Sequence, residues 1–212
     1  MKAKMVMPVL CCVLLSAASA GRANAQGTQR TPPAEAKPAT AATPASPATS
    51  ARPTTMPPAA APADVESIDA ILAALYGVIS GPAGQPRNLD RFRSLFIDGA
   101  RLIPTGRRPT GDVAARVLGV EEFINSLTRN TQTQGFFEKS VADRIEHFGH
   151  IAHVFSTYEA RRNADDKRPF IRGINSIQLM NDGKRWWIVT IYWQAEDADN
   201  PIPAKYFESQ KD

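Results

Sequence analysis

The stretch Phe170–Gln194, FIRGINSIQLMNDGKRWWIVTIYWQ, sets two runs of alternating, β-branched and aromatic residues around Asn181-Asp182-Gly183-Lys184. Apolar side chains recur at every second position through much of both runs, the period of a strand, and Asp-Gly favours a tight hairpin because both positions tolerate positive φ. A two-residue Asp182-Gly183 turn would pair Asn181 with Lys184, Leu179 with Trp186, Ile177 with Ile188, Asn175 with Thr190 and Gly173 with Tyr192. One face then grades from large apolar side chains at the turn to Asn175, Thr190 and Tyr192 at the far end, the layout of a pocket floor. The other face carries Trp187, Val189, Ile191 and Trp193 beside Gln178, Ser176, Ile174 and Arg172. A sheet with helices on one side normally shows water a polar second face, so an apolar one calls for a cover. A second copy of the chain is the economical cover. The expected homodimer runs through Trp187, Val189, Ile191 and Trp193, with Arg172 stacked or paired near Trp193.

Upstream, alternation predicts two more strands, roughly Glu138–Phe148 and Ile151–Arg161. Before them the period is helical. Val65, Ile68, Leu72, Leu75 and Ile79, widened by Ile71 and Tyr76, form an apolar stripe that Asp64 could cap and Gly81-Pro82 ends. Gly77 inside this stripe is expected to mark close packing. Asn88 caps a short helix bearing Leu89, Phe92, Leu95 and Phe96. Asp98-Gly99 then leads into a short strand, Ala100–Ile103, and a polar loop follows. Val120, Phe123, Ile124 and Leu127 define a third helix ending before Gly135. Three helices followed by a meander describe an α+β domain with its helices against one sheet face.

All 16 aromatic residues lie between Tyr76 and Phe207, whereas nine of the 17 prolines lie between Pro32 and Pro62. The chain therefore has one place to build a core, residues 64–212. Residues 26–63 contain twelve Ala, nine Pro and seven Thr with no aromatic side chain, which predicts a disordered tether. Residues 1–25 have the order of a secretory signal peptide: Lys2 and Lys4, an apolar run from Met5 to Leu15, and small residues with exits at Ala18-Ser19-Ala20 and Ala23-Asn24-Ala25. Cleavage after Ala25 would place the mature protein in the periplasm or outside the cell, without stable membrane insertion, since eleven apolar residues are too few to span a bilayer.

Removing that segment takes away Lys2, Lys4 and Arg22, and 22 basic residues then face 21 acidic ones. Nucleic acid binding through charge loses its support. Cys11 and Cys12 also leave, so the mature chain can form no disulfide, thiolate metal site or thiol nucleophile.

The passage Leu95-Phe96-Ile97-Asp98-Gly99-Ala100-Arg101-Leu102, the closing strand Gly183-Lys184-Arg185-Trp186-Trp187-Ile188-Val189 and the order of elements resemble the nuclear-transport-factor-2-like superfamily, in particular its SnoaL-like branch. The resemblance covers residues 64–207. It implies a cone-shaped fold, with the three N-terminal helices packed on a curved antiparallel sheet, a pocket at the open end and dimerisation through the outer sheet face. The superfamily holds isomerases, dehydratases, cyclases and pocketed proteins without chemistry, so it implies no reaction. Isomerases of this fold place a general-base carboxylate on the short strand, where this chain has Arg101-Leu102-Ile103-Pro104. Many SnoaL-like members carry histidines where this chain has Thr190 and Tyr192.

The remaining titratable candidates are His147, His150, His153 and Glu159. Spaced by three in a strand region, the histidines do not gather into a metal site. His150 follows Gly149 at a hairpin, and His153 sits mid-strand, where it can face inward. Asn175 and Tyr192 can orient a ligand or bond each other. No Gly-rich phosphate loop precedes a helix and no nucleophile elbow is present, so no cofactor is expected. The ligand-binding candidates are thus Tyr76, His153, Asn175, Thr190 and Tyr192. The reading is an exported, dimeric pocket protein for a small, partly apolar molecule. Its rivals are a lyase- or isomerase-like enzyme using His153, Tyr192 and Glu159 as acid–base groups, and a non-catalytic interaction module.

Overall fold

The computed structural model describes residues 57–108 and 110–211, so the expected signal peptide and the tether up to residue 56 lie outside the described residues. Helix α1 spans Ile68–Ile79 and buries Ile71, Leu72, Leu75, Tyr76 and Ile79, the stripe read from the sequence. Its cap is Ser67, whose side chain accepts a hydrogen bond from the Ala70 N–H, and not Asp64. Asp64 instead takes a bidentate pair from Arg91 at 2.7 and 2.8 Å, tying the approach to α1 onto α2 (Leu89–Ser94). The Arg91 guanidinium holds the Asp64 carboxyl below its ordinary range. Ala60 packs against the core and Pro62–Asp64 form a 3-10 turn, so the last residues of the segment read as tether take part in the fold. Asn88 caps α2 as expected, accepting from the Arg91 N–H.

Strand β1 runs Phe96–Arg107, much longer than the Ala100–Ile103 expected, and pairs with the short β2, Val113–Ala115, in the stretch read as loop. Helix α3, Val120–Thr131, follows, and Glu122 reaches back to accept the Gly119 N–H. Then come β3 (Phe137–Phe148), β4 (Ile151–Arg161), β5 (Ile171–Asn181), β6 (Trp186–Ala195) and a two-residue β7 (Gln210–Lys211). The sheet order is β2-β1-β6-β5-β4-β3-β7. The fold is α+β, but the sheet is mixed and not purely antiparallel, because β1 lies parallel to β6 and β7 parallel to β3. Because β1 lies parallel to β6, the chain crosses over through β2, α3 and the meander before β6 pairs beside it.

The β5–β6 hairpin corrects the expected register. Its turn holds four residues, Asp182–Arg185, because the Asp182 carboxylate accepts the Lys184 and Arg185 N–H groups and stabilises a wider turn. Asn181 pairs with Trp186 and Leu179 with Ile188. A bulge at Val189 then shifts the ladder, so that Gln178 meets Thr190, Ile177 meets Ile191, Ser176 meets Tyr192 and Asn175 meets Trp193. One inserted residue reverses the side to which everything after it points. Ile191 is therefore a core residue at 6 % exposure, and Trp193 packs edge-on against Phe123 at 6.1 Å. Thr190 and Tyr192, expected on the helix side, share the outer face with Gln178 and Ser176. The apolar stripe Trp187-Val189-Ile191-Trp193 does not exist as one surface. Trp187 is held outside, its indole donating to Asp182 and its ring covered by the Arg185 guanidinium at 3.6 Å.

The core lies between the inner sheet face and helices α1, α2 and α3, with Phe92, Phe96, Leu95, Leu102, Leu118, Ile177 and Ile188 fully buried. Phe92 stacks on Phe123 and tilts against Phe96, so α2, β1 and α3 share one aromatic cluster.

Candidate functional site

An open cleft of about 430 Å³ separates α1 from β3. Helical spacing puts Asp69, Leu72, Ala73, Tyr76 and Gly77 of α1 on one wall, and Glu138, Lys139, Ser140 and Asp143 of β3 form the other. Gly77 does not mark close packing: a Cβ there would meet nothing within 4 Å, and the missing side chain keeps this wall low.

The cleft floor is a continuous hydrogen-bonded chain. The Asn175 amide donates to the Tyr76 hydroxyl at 3.1 Å and to Glu138 Oε1 at 3.4 Å. Tyr76 Oη lies 2.7 Å from Ser156 Oγ, which donates to Ser140 Oγ at 3.2 Å, and Ser140 donates to Asp143 Oδ1 at 2.7 Å. Asn175 can only donate through its nitrogen and the Asp143 oxygen only accepts, so the hydroxyl protons all run one way, from Tyr76 towards Asp143. Tyr76 thus spends its proton on Ser156 and its lone pair on Asn175.

Tyr76, Ser156 and Asn175 are at most 6 % exposed, and this desolvation shapes the chemistry. Burial raises the Tyr76 phenol above its ordinary range, with the nearby Glu138 carboxyl adding to the effect, so the group is a hydrogen-bond partner and not a base. Burial also pushes the Glu138 carboxyl up to about 8, against the smaller opposing influence of the Asn175 hydrogen bond. Its backbone is fixed by Ser80, whose hydroxyl accepts the Glu138 N–H at 2.9 Å and donates to the Tyr76 carbonyl at 2.7 Å. A carboxyl that holds its proton near neutrality can donate to a ligand carbonyl or, once ionised, accept a proton.

The structure therefore brings two expected residues together, Tyr76 and Asn175, and leaves three apart from them. His153 points outward, with Nε2 3.0 Å from Ser176 Oγ and Nδ1 3.9 Å from Glu146 Oε2. The order acid–imidazole–hydroxyl is that of a hydrolytic triad, but Glu146 is 80 % exposed and the contact is long. The N–H groups of these strands are committed to the ladder, which leaves no paired donors for an oxyanion. Thr190 and Tyr192 stand on that same outer face, separated from the cleft by the thickness of the sheet, and Glu159 is paired with Arg161 at 2.7 Å. Among the described residues no group of His, Cys, Asp and Glu is placed to hold a metal.

Glu138, Ser140, Asp143 and Ser156 were missed from the sequence. Their signal was present but weak: a strand opening on a carboxylate with a serine two residues on, at a spacing that shares one face.

No protein-family model and no curated protein matches the chain. Solved structures do. The chain resembles NTF2-like proteins. One NTF2-like protein of unknown function, from Silicibacter pomeroyi, is 13 % identical over 62 % of this chain and 94 % of its own, with a TM-score of 0.42. A second, from Shewanella baltica, is 9 % identical over 62 % of this chain and 98 % of its own, with a TM-score of 0.40. A third, from Parabacteroides distasonis and described as a candidate ketosteroid isomerase, is 11 % identical over 63 % of this chain and 91 % of its own, with a TM-score of 0.43. The NTF2-like resemblance assigns no ligand or reaction to this chain.

Proposed function

We propose that this chain is an exported protein whose α1–β3 cleft binds a small, partly apolar molecule with at least one hydrogen-bonding group. The observation that carries the reading is the floor of the cleft, where Glu138, Asn175 and Tyr76 are joined by hydrogen bonds below an apolar wall of Leu72 and Ala73. Glu138 is the group that meets the ligand, because the hydroxyl of Tyr76 is already committed on both sides. A thermal-shift screen of small aromatic and steroid-like compounds, run on wild type and Glu138→Gln, tests this. Compounds that raise the melting temperature of wild type and do so less in the variant support it, and a screen without hits counts against it.

A second reading makes the cleft a lyase- or isomerase-like site with Glu138 as its acid–base group, in place of His153 and Tyr192, which lie on the opposite face. What favours it is the Glu138 carboxyl poised at about 8. Turnover of any hit, lost in Glu138→Gln with binding retained, separates enzyme from binder.

Export rests on the signal-like order of residues 1–25, and an intact mass of native protein starting near Gln26 would support it. The homodimer is carried by what the outer face still exposes, Phe148 at 83 %, Ile151 at 62 % and Tyr192 at 45 %. Light scattering after size exclusion measures it directly.

A further inference from the structure

The C-terminal segment touches both walls of the cleft. The Ala204–Phe207 turn lies on the outer sheet face, where Thr157 donates to the Tyr206 carbonyl at 2.5 Å and the Tyr206 ring packs on Phe155 at 5.2 Å. The chain then rounds the free edge of β3. Ser209 accepts the Asp143 N–H at 3.1 Å, Gln210 takes a bond from the Arg144 guanidinium, and β7 adds two residues to the edge opposite Arg144 and Ile145. The last contact leaves the sheet altogether. Lys211 Nζ reaches α1 and sits 2.7 Å from both oxygens of Asp69.

Asp143 and Asp69 are cleft-lining residues on opposite walls. A segment hydrogen-bonded to one and ion-paired to the other bridges the cleft at that end. The two halves of the bridge differ in kind. The turn on the outer face is anchored by a hydroxyl bond and a ring contact, whereas the Lys211–Asp69 pair is open to solvent, its side chains 53 % and 67 % exposed. Exposed pairs of this sort are weak and fade with salt, so this end releases first.

We propose that Ser209–Lys211 is a strap that gates the α1–β3 cleft, with the Lys211–Asp69 pair as its latch. The gating role rests on the cleft being the binding site, but the latch can be tested without any ligand. In the full chain with Cys11→Ser and Cys12→Ser, Ser140→Cys places one thiol on the inner wall. Its rate of modification by N-ethylmaleimide reports access to the cleft. Releasing the latch with Lys211→Met or Asp69→Asn should speed labelling roughly two- to fivefold, the range an exposed ion pair carries. Raising salt to about 1 M should speed it in the latched chain and add nothing in Lys211→Met. Hydrogen exchange on chains without the Ser140→Cys change should show the same release in residues 204–211, with β4 and β5 still protected. Equal labelling rates with and without the latch overturn the proposal. Faster labelling accompanied by lost protection in β4 and β5 also overturns it, since that is general destabilisation. A thermal-shift screen without hits would bear on the binding reading alone and leave these rates unaffected.

Discussion

The hydroxyl of Tyr76 lies 2.7 Å from Ser156 Oγ, joining residues eighty positions apart and fastening the middle of α1 to the middle of β4. Asn175 donates to the same phenol from the next strand. Tyr76→Phe removes the centre of this junction and leaves buried partners unsatisfied. We expect a loss of about 1–3 kcal/mol in stability, read from the urea midpoint, because a buried polar group without a partner bears its full desolvation cost. A loss below a few tenths would mean that water or a rotated Ser156 takes the place of the phenol.

Glu138 gives stability a pH dependence with a definite sign. In the folded chain the carboxyl keeps its proton up to about 8, against an ordinary value of 4.5. Between those values the native state holds a proton that the unfolded state has released, so stability falls as pH rises. The contribution is fully present below 4.5 and is lost as pH passes through about 8. Each pH step of one across this window is worth about 1.4 kcal/mol, and partial exposure of Glu138 trims the total to roughly 2–3 kcal/mol. Denaturation curves at intervals across this window should slope for wild type and lie flat for Glu138→Gln. Parallel profiles would place the proton elsewhere.

The Val189 bulge separates two substitutions that plain alternation would rank the other way. Ile191→Asp puts an unpaired charge in the core and should cost several kcal/mol or abolish folding. Tyr192→Asp, on the outer face, should stay within about 0.5–1 kcal/mol. Circular dichroism melts of the two variants decide it, and a stable Ile191→Asp protein would restore the simple two-residue hairpin.

Gly173 stands where no side chain fits. A Cβ would come 2.5 Å from the Tyr158 hydroxyl oxygen and 2.7 Å from its ring, with the Gln194 carbonyl crowding it as well. Gly173→Ala should destabilise by about 1–3 kcal/mol or more, the range for overpacking a filled interior. An unchanged melting temperature would show that Tyr158 can swing aside.

Periodicity exposed those parts of the molecule in which a run of residues carries its own phase. The α1 stripe ending at Ile79 and the four strands β3 to β6 repeat often enough to set a period without help from elsewhere. The bulge was hidden for the opposite reason: parity is cumulative, so one extra residue at Val189 leaves the alternation of Ile191 and Trp193 looking intact while reversing where they point. Strand β2 escaped because three residues beside arginines and glycines carry almost no phase. Of the cleft, Tyr76 and Asn175 could be named because each is a polar group within an apolar run. Glu138 could not, since its meaning arises only when β3 lies two strands from Asn175 with α1 above both.

The far end of α1 is held independently of the Lys211 latch. Gly81 exchanges backbone hydrogen bonds with Phe136 at 2.7 and 3.0 Å, and the Arg87 guanidinium gathers the carbonyls of Ile79, Gly81, Pro82 and Gln85. The near end of α1 is held as well, by the Arg91–Asp64 pair and by the Trp186 N–H on the Val65 carbonyl. With Tyr76 fastened to Ser156 between them, the helix is pinned at both ends and in the middle. Losing the Lys211–Asp69 pair therefore leaves α1 in place. What the strap can change is passage between two fixed walls, while the surroundings of the proton-bearing carboxyl stay constant.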